Sequence, residues 1–174
     1  MISHLKNPSS VYAGAGSIAA LGDIVKRDNV KRVLLFTDKG IRSCGLCGSA
    51  LDVLKKNGVA VEIFDGVIAE PSTYDVDKVM KDAANAKGDL IVAIGGGSTM
   101  DTAKLASVLI GADYTVFDLV NNPALAHKRI HSVFVPTTCG TGSEATCNAI
   151  VAVPEEDIKV AIVNKTMLPD FVFL

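Results

Sequence analysis

Residues 90–104 read LIVAIGGGSTMDTAK, and this stretch decides the fold. Its first part, residues 90–94, is uncharged and rich in β-branched side chains, as in a strand buried on both faces of a parallel sheet. Three glycines follow, which can take positive φ and have no Cβ, so the backbone can bring its amides close to an anion at the carboxyl edge of the sheet. The segment therefore predicts a cradle for a diphosphate. A tight strand-to-helix turn without a ligand is the alternative.

Ser98 and Asp101 suit the start of the helix that follows these glycines. Serine is a preferred N-cap, and an acidic residue three positions later is typical of a capping box. The helix, predicted over residues 98–110, would direct the positive end of its dipole at the same anion. For Asp101, a capping role and a ligand contact both stay open.

Strands and helices alternate along the rest of the chain. Apolar runs predict strands and helical periodicity predicts the segments between them. The predicted strands cover residues 33–37, 59–64, 90–94 and 133–135, and the predicted helices cover 17–27, 41–56, 74–86 and 98–110. This order predicts an α/β fold with a doubly wound, Rossmann-like parallel sheet, in one domain over residues 1–174. Residues 149–153 and 158–163 are expected to form a strand pair around a polar turn.

Charge and hydropathy exclude several classes of partner. The 174 residues carry a formal net charge of −2 without a basic stripe, so we predict no nucleic-acid partner. No apolar run approaches the roughly 20 residues of a spanning helix, and the first ten residues lack the apolar core of a secretory signal. We therefore expect a soluble, cytoplasmic protein without a membrane partner.

Cysteine and histidine spacing predicts no metal site in this chain. Cys44 and Cys47 form a CGLC motif, but a zinc site needs a second close pair, and the surrounding sequence is typical of mid-helix. His4, His127 and His131 show no paired spacing with a carboxylate. Reduced thiols and surface or loop histidines are the simpler interpretation.

A second glycine motif is an alternative binding site for a dinucleotide. Residues 12–19, YAGAGSIA, match GxGxxA, and Asp38 follows about twenty residues later at the end of a strand. The run before Gly14 is too short for a central strand, so we prefer the later glycines; Gly14 and Gly16 would then turn an edge strand into the first helix. In either case Asp38 can accept hydrogen bonds from ribose hydroxyls and repel a 2′-phosphate, which favours NAD over NADP. A turn aspartate is the alternative.

A loop rich in hydroxyl groups completes the pattern. Residues 133–146, VFVPTTCGTGSEAT, place an apolar strand before threonines and spaced glycines that could line a pocket, or form an ordinary polar loop. Together, GGGSTMDTAK and PTTCGTGSE resemble the two motifs of the iron-containing (group III) alcohol dehydrogenases. FTDKG, FDGV and LPD occur in the order expected for that family, so the resemblance covers nearly the whole chain.

The resemblance implies a set of cofactor contacts spread along the chain. Gly96, Gly97 and Ser98 would bind the diphosphate, and Asp101 occupies the position that faces the reacting end in related enzymes. By position the implied NAD-binding residues are Asp38, Gly96, Gly97, Ser98, Asp101, Thr137, Thr138, Thr141, Asn148, Lys159 and Leu168. One departure is visible, because Ala69, Glu70 and Pro71 stand where the family often has ProAsnPro, so an asparagine contact is lost.

The resemblance also implies hydride transfer between a small alcohol or aldehyde and the nicotinamide, with iron or another divalent metal polarising the oxygen. The family binds that metal with an aspartate and three histidines of an all-helical second domain, which is absent from this chain. We therefore expect the cofactor-binding half of an NAD-dependent alcohol dehydrogenase, with no catalytic residue of its own and inactive alone. Apolar surface meant for the missing helices favours association, at least into a dimer.

Three other functions stay open at this stage. A glycerol dehydrogenase-like relative has a similar architecture, and a non-catalytic nucleotide-binding module would need no second domain. A phosphotransferase that binds ATP through glycine-rich loops is the third, although Ser98 stands where such an enzyme would need an acid.

Overall fold

Every strand pairing in the main sheet is parallel, as the buried apolar runs predict. The computed structural model describes residues 6–174. The strands are β1 (Ser10–Tyr12), β2 (Arg32–Phe36), β3 (Ala60–Phe64), β4 (Leu90–Gly95), β5 (His131–Pro136), β6 (Asn148–Val153), β7 (Ile158–Val163) and β8 (Phe171–Phe173). The α-helices are α1 (Leu21–Arg27), α2 (Lys39–Ser43), α3 (Gly48–Lys56), α4 (Thr73–Ala84), α5 (Gly97–Leu109) and α6 (Val116–Asn121).

The strand order places a crevice between β2 and β4. The six strands lie in the order β1-β8-β5-β4-β2-β3. The chain runs outward from β2 to β3 and then returns to add β4 on the other side of β2, so the strand order reverses there. In open parallel sheets, ligands bind beyond the carboxyl ends of the strands at such a reversal. The segments that follow β2 and β4 are therefore the ones placed to bind a ligand.

The central strand β4 contributes to two separate cores. Its side chains alternate, with Leu90, Val92 and Ile94 packed on the face covered by α1 and α3, and Ile91 and Ala93 packed on the face covered by α4, α5 and α6. All six residues of β4 are buried. The doubly wound architecture predicted from the sequence is confirmed.

Helix α5 is enclosed on both sides. Strands β6 and β7 pair in antiparallel fashion as the predicted hairpin, and β6 packs on α5 from the side opposite the sheet. Every residue of α5 from Thr99 to Leu109 is consequently buried. Any polar side chain on this helix must find its partners inside the protein.

Two predicted helices have a different form. The helix predicted over residues 41–56 is wrong as a single element, because Gly45 adopts a φ of +75° and the chain turns there between α2 and α3. The CGLC motif therefore lies in a turn and not in mid-helix. The helix predicted over residues 17–27 starts with a 3-10 turn, Ser17–Ala20, before α1. Ahead of it, Gly14 and Gly16 have φ of +118° and +84° after the edge strand β1, so they turn the chain as expected.

Candidate functional site

A single glycine separates β4 from α5. Gly96 is the N-cap of the helix in an extended conformation, with φ of −88°, and the predicted capping by Ser98 is wrong because the helix has already begun at Gly97. The Ser98 hydroxyl instead accepts a hydrogen bond from the Glu70 N–H at 3.1 Å. Gly95, Gly96 and Gly97 do not use the positive φ that glycine can adopt. An extended residue leads directly into the helix, so no left-handed residue is needed.

These glycines are required by close packing. A Cβ on Gly95 would lie 2.5 Å from the Thr99 hydroxyl oxygen, and one on Gly96 would lie 3.2 Å from that of Thr138. A Cβ on Gly97 would lie 3.1 Å from the Thr141 methyl carbon. The loop after β5 therefore lies directly against the first turn of α5. The first amides of a helix have no acceptor within it, so they are available to an anion at this point.

A cleft with two lobes surrounds the start of α5. The Asp38 lobe, about 410 Å³, is lined by Asp38, Ile41, Val67 and Ile68 and by the glycine turn. The Lys159 lobe, about 470 Å³, is lined by residues of α5, the loop after β5 and the hairpin. Gly97 and Ser98 line both lobes, so the helix N-terminus lies between them. Neither Gly14 nor Gly16 lines either lobe.

Ten of the predicted cofactor residues meet in this cleft, which shows that positions far apart in sequence converge. Those in the Asp38 lobe are Asp38, Gly96, Gly97, Ser98, Thr137 and Thr138. Those in the Lys159 lobe are Gly97, Ser98, Asp101, Thr141, Asn148 and Lys159. Leu168 does not join them. It lies before β8 at the amino edge of the sheet, and its carbonyl accepts a hydrogen bond from Lys128 at 2.8 Å.

Asp38 caps a helix and also lines the cleft. It is the N-cap of α2, and its carboxylate accepts a hydrogen bond from the Ile41 N–H at 2.9 Å. The same side chain lines the cleft at the end of β2. A capping role therefore does not remove Asp38 from the candidate site.

Thr137 brings an unpartnered hydroxyl to the Asp38 lobe. Its backbone N–H donates to the Gly95 carbonyl at 2.9 Å, which joins the loop after β5 to the end of β4. Its side-chain oxygen is buried and has no hydrogen-bond partner within the protein. Buried polar groups are nearly always satisfied, so a ligand that supplies this partner would be favoured.

An ion pair crosses the mouth of the Lys159 lobe. Glu70 has a φ of +52° and lies on the loop before α4. Its carboxylate is 2.6 Å from the Lys159 ammonium on β7. Both side chains are exposed, so the pair is screened by water and contributes little to stability.

Asp101 faces inward. One carboxylate oxygen accepts from Lys104 at 3.1 Å and from the Ser143 hydroxyl at 3.0 Å, and the other accepts from the Ile150 N–H at 3.1 Å. The side chain therefore joins α5 to the hairpin while also lining the Lys159 lobe. It does not cap its own helix.

The sequence interpretation missed Lys104, a buried charge paired with Asp101 of the Lys159 lobe. Its side chain is 0% exposed, and burial lowers the pKa of Lys104 below its ordinary value while the charge of Asp101 acts in the opposite direction. A signal was available, because Lys104 is the only basic residue in the otherwise neutral and apolar stretch of residues 102–112. A lysine there cannot reach solvent if the helix is covered on both sides.

Potential metal ligands are dispersed. Among the described residues, no three His, Cys, Asp or Glu side chains come together in a possible metal site. His131 lies at the start of β5, with Nδ1 2.9 Å from the Asp170 carboxylate. His4 lies outside the described residues.

The strand order, the single-glycine turn and the cleft at the reversal of strand order define a Rossmann-like α/β domain. Comparison with known proteins then gives the family. The chain belongs to the iron-containing alcohol dehydrogenases, whose family profile matches residues 8–174.

Individual relatives are similar over nearly the whole chain. Long-chain-alcohol dehydrogenase 1 of Geobacillus thermodenitrificans is 32% identical over 166 residues, which cover 94% of this chain and 42% of that enzyme. A solved 1,3-propanediol oxidoreductase is 29% identical with a TM-score of 0.90, covering 99% of this chain and 45% of its own. A sulfoacetaldehyde reductase from Bifidobacterium kashiwanohense in complex with NAD+ has a TM-score of 0.88, covering 99% and 46%; at 24% identity it supports the fold alone.

The chain thus spans less than half the length of these relatives, which are alcohol dehydrogenases and other oxidoreductases. Bacterial and mitochondrial enzymes both occur among them, so the cytoplasmic location stays a prediction. Within residues 6–174, none of the helices combines the length and the apolar character needed to cross a membrane.

Proposed function

We propose that the cleft binds NAD, with the diphosphate on the first turn of α5, the adenosine in the Asp38 lobe and the nicotinamide in the Lys159 lobe. The strongest support is that the two lobes share residues at the start of α5. Gly97 and Ser98 line both lobes, and a linear dinucleotide has its diphosphate in the middle. The helix dipole and the free amides favour negative charge at that point.

The Asp38 lobe has the chemistry that an adenosine needs. Ile41, Val67 and Ile68 offer an apolar wall for the base. The Thr137 hydroxyl lacks a partner that a ribose or phosphate oxygen can supply. The Asp38 carboxylate can accept hydrogen bonds from ribose hydroxyls, and its charge would repel a 2′-phosphate. We infer a preference for NAD over NADP.

The reaction that we infer for the complete enzyme is hydride transfer between a small alcohol and its aldehyde or ketone. NAD supplies the hydride chemistry when bound; the residues described above bind and orient it. The described residues do not fit iron, because no three metal-ligating side chains converge. Metal binding would therefore need residues beyond this stretch, and residues 1–174 alone would bind NAD without turnover. We also infer that the enzyme associates, at least as a dimer.

Calorimetric titration of the chain with NAD+, NADP+ and ATP tests the proposal. G97A is the informative variant, because its Cβ narrows the floor of the cleft beside Thr141, whereas G48A places the same methyl group at the first residue of α3 in open space. We expect G97A to weaken NAD+ binding about tenfold and G48A to leave it unchanged. Wild-type chain that binds ATP but not NAD+, or neither nucleotide, would refute the proposal.

A further inference from the structure

Lys104 is a buried ammonium whose hydrogen-bonding capacity is fully used. Nζ donates to the Asp101 carboxylate at 3.1 Å, to the Thr146 hydroxyl at 3.1 Å and to the Asn148 carbonyl at 2.7 Å. An ammonium has three donors, so none is free for a ligand. Burying a lysine is costly unless its charge is paired and all its donors are satisfied. An apolar side chain would suit helix α5 better if packing were the only requirement.

The three hydrogen-bond partners of Lys104 line the Lys159 lobe, although the lysine itself does not reach it. They are Asp101, Thr146 and Asn148. Asp101 extends the arrangement, because it also accepts hydrogen bonds from Ser143 and from the Ile150 N–H, and both of these residues line the same lobe. One buried charge therefore connects five residues of the wall.

We propose that Lys104 is the positioning residue of the Lys159 lobe: it fixes the hairpin and the loop after β5 against α5 in the arrangement that receives the nicotinamide half of the dinucleotide. The inference rests on the proposed function and extends it to a residue that contacts no ligand. It also assigns a role to the lysine that ends the GGGSTMDTAK motif.

The physical reason lies in how the hairpin is attached. Strands β6 and β7 form their own two-stranded sheet and share no ladder with the six-stranded sheet. Without the ammonium, the Asp101 carboxylate and the Asn148 carbonyl would each lose one hydrogen bond inside the protein. The start of β6 would move or admit water to satisfy them. The wall of the Lys159 lobe would then lose its shape while the Asp38 lobe, on the other side of Gly97, would not.

The test is a titration of K104M with two ligands, because methionine matches the length of lysine without its charge. NAD+ would occupy both lobes, whereas AMP can occupy the Asp38 lobe alone. We expect the Kd for NAD+ to rise about tenfold and the Kd for AMP to change less than about twofold. K128M is the matched control, since Lys128 is a partly buried lysine paired with Asp170 at the other edge of the sheet. We expect K128M to bind both ligands as the wild type does.

The outcomes separate the two proposals. Wild-type chain that does not bind NAD+ refutes the proposed function, whereas unchanged NAD+ binding by folded K104M refutes only the role of Lys104. An equal loss for NAD+ and AMP would also refute it, because that is the effect of general destabilisation. If K104M does not fold, K104Q retains two donors in place of three and must show the same selective loss for NAD+, or the inference fails.

Discussion

Two lysine–aspartate pairs lie at opposite ends of the strands, and they differ in what surrounds them. At the carboxyl ends, the Lys104 side chain is 0% exposed and Asp101 8% exposed, and their further partners line the cleft. At the amino ends, the Lys128 and Asp170 side chains are only partly buried, at 19% and 18% exposed, and their further partners are the Leu168 carbonyl, Ser132 and the His131 ring.

On the role that we propose for Lys104, the difference separates an ion pair that joins strands from one that organises a site. Asp170 accepts from the Ser132 N–H at the start of β5, and its own N–H donates to the Ser132 carbonyl, so this pair joins the beginnings of two neighbouring strands. Asp101 joins a helix to a hairpin that, among the described residues, shares no ladder with the main sheet. We propose that this second kind of pair fixes the hairpin together with its apolar packing on α5.

The largest expected effect is on stability. The contrast between the two pairs would fail if removing either lysine had the same effect. Removing one partner of a fully buried pair leaves an uncompensated charge, so K104M should lower the free energy of unfolding by about 3 kcal/mol. K128M should lower it by about 1 kcal/mol, because water already reaches that pair. Urea denaturation of the two variants and the wild type measures both values. Equal losses would mean that the two pairs have the same role.

The next effect concerns nucleotide choice, and it should be confined to the carboxyl end. D38S keeps a side-chain oxygen that can cap α2 but removes the charge, so NADP+ affinity should rise about tenfold. D170N removes a charge at the amino end and should leave the ratio of NAD+ to NADP+ affinity unchanged. Competition titrations with the two nucleotides give that ratio. An unchanged ratio in D38S would remove Asp38 from the discriminating role.

A smaller effect is expected at the mouth of the cleft. The carboxylate of Glu70 neutralises Lys159 and adds negative charge near the proposed diphosphate site. E70Q should therefore tighten NAD+ binding about threefold at low salt, and the gain should shrink as salt screens the charges. In the K159Q variant, E70Q should have less effect on NAD+ binding, because the ammonium that the Glu70 carboxylate neutralises is already absent. A larger gain in K159Q than in the parent chain would contradict this account.

The smallest effect appears only at acidic pH and concerns the Lys128–Asp170 pair at the amino ends of the strands. Burial acts to raise the pKa of Asp170, but the charge of Lys128, the Ser132 N–H and His131 outweigh it and lower the pKa below its ordinary value. A carboxyl group with a lowered folded-state pKa stabilises the fold above its unfolded pKa, and this contribution is lost as pH falls through the folded pKa. Below about pH 4, the free energy of unfolding should fall more steeply for wild type than for D170N.

The sequence predicted the cleft better than the turn within it. The run from Leu90 to Lys104 has one consistent pattern, in which a buried strand, glycines and a helix occur in order, and local pattern is enough to place it at a sheet edge. The cap could not be predicted correctly, because Ser98 is a good cap in isolation and only the contact with Glu70, far away in sequence, shows where its hydroxyl goes.

Long-range placement explains the other differences. Asp101 accepts hydrogen bonds from Ser143 and Ile150, which lie more than forty residues further along the chain. No local pattern in the sequence shows that the hairpin covers α5. The turn at Gly45 interrupts a stretch with continuous helical periodicity. Leu168 was assigned by family position alone, and the structure places it at the opposite edge from the cleft. The sequence predicted most of the residues that line the cleft, and the topology explains how they come together.

The position of β1 has a consequence for how this chain acquires its structure during synthesis. Among the described residues, β1 pairs with β8 alone, in a register that sets Ser10 opposite Phe171. Synthesis delivers β1 before the other strands of this sheet and β8 after them, so β1 stays unpaired while β2, β3, β4 and β5 assemble. Pairings so distant along the chain are slow to form, and an unpaired strand is a target for association with other chains. The six-stranded sheet is therefore most exposed to misassembly before β8 has been synthesised.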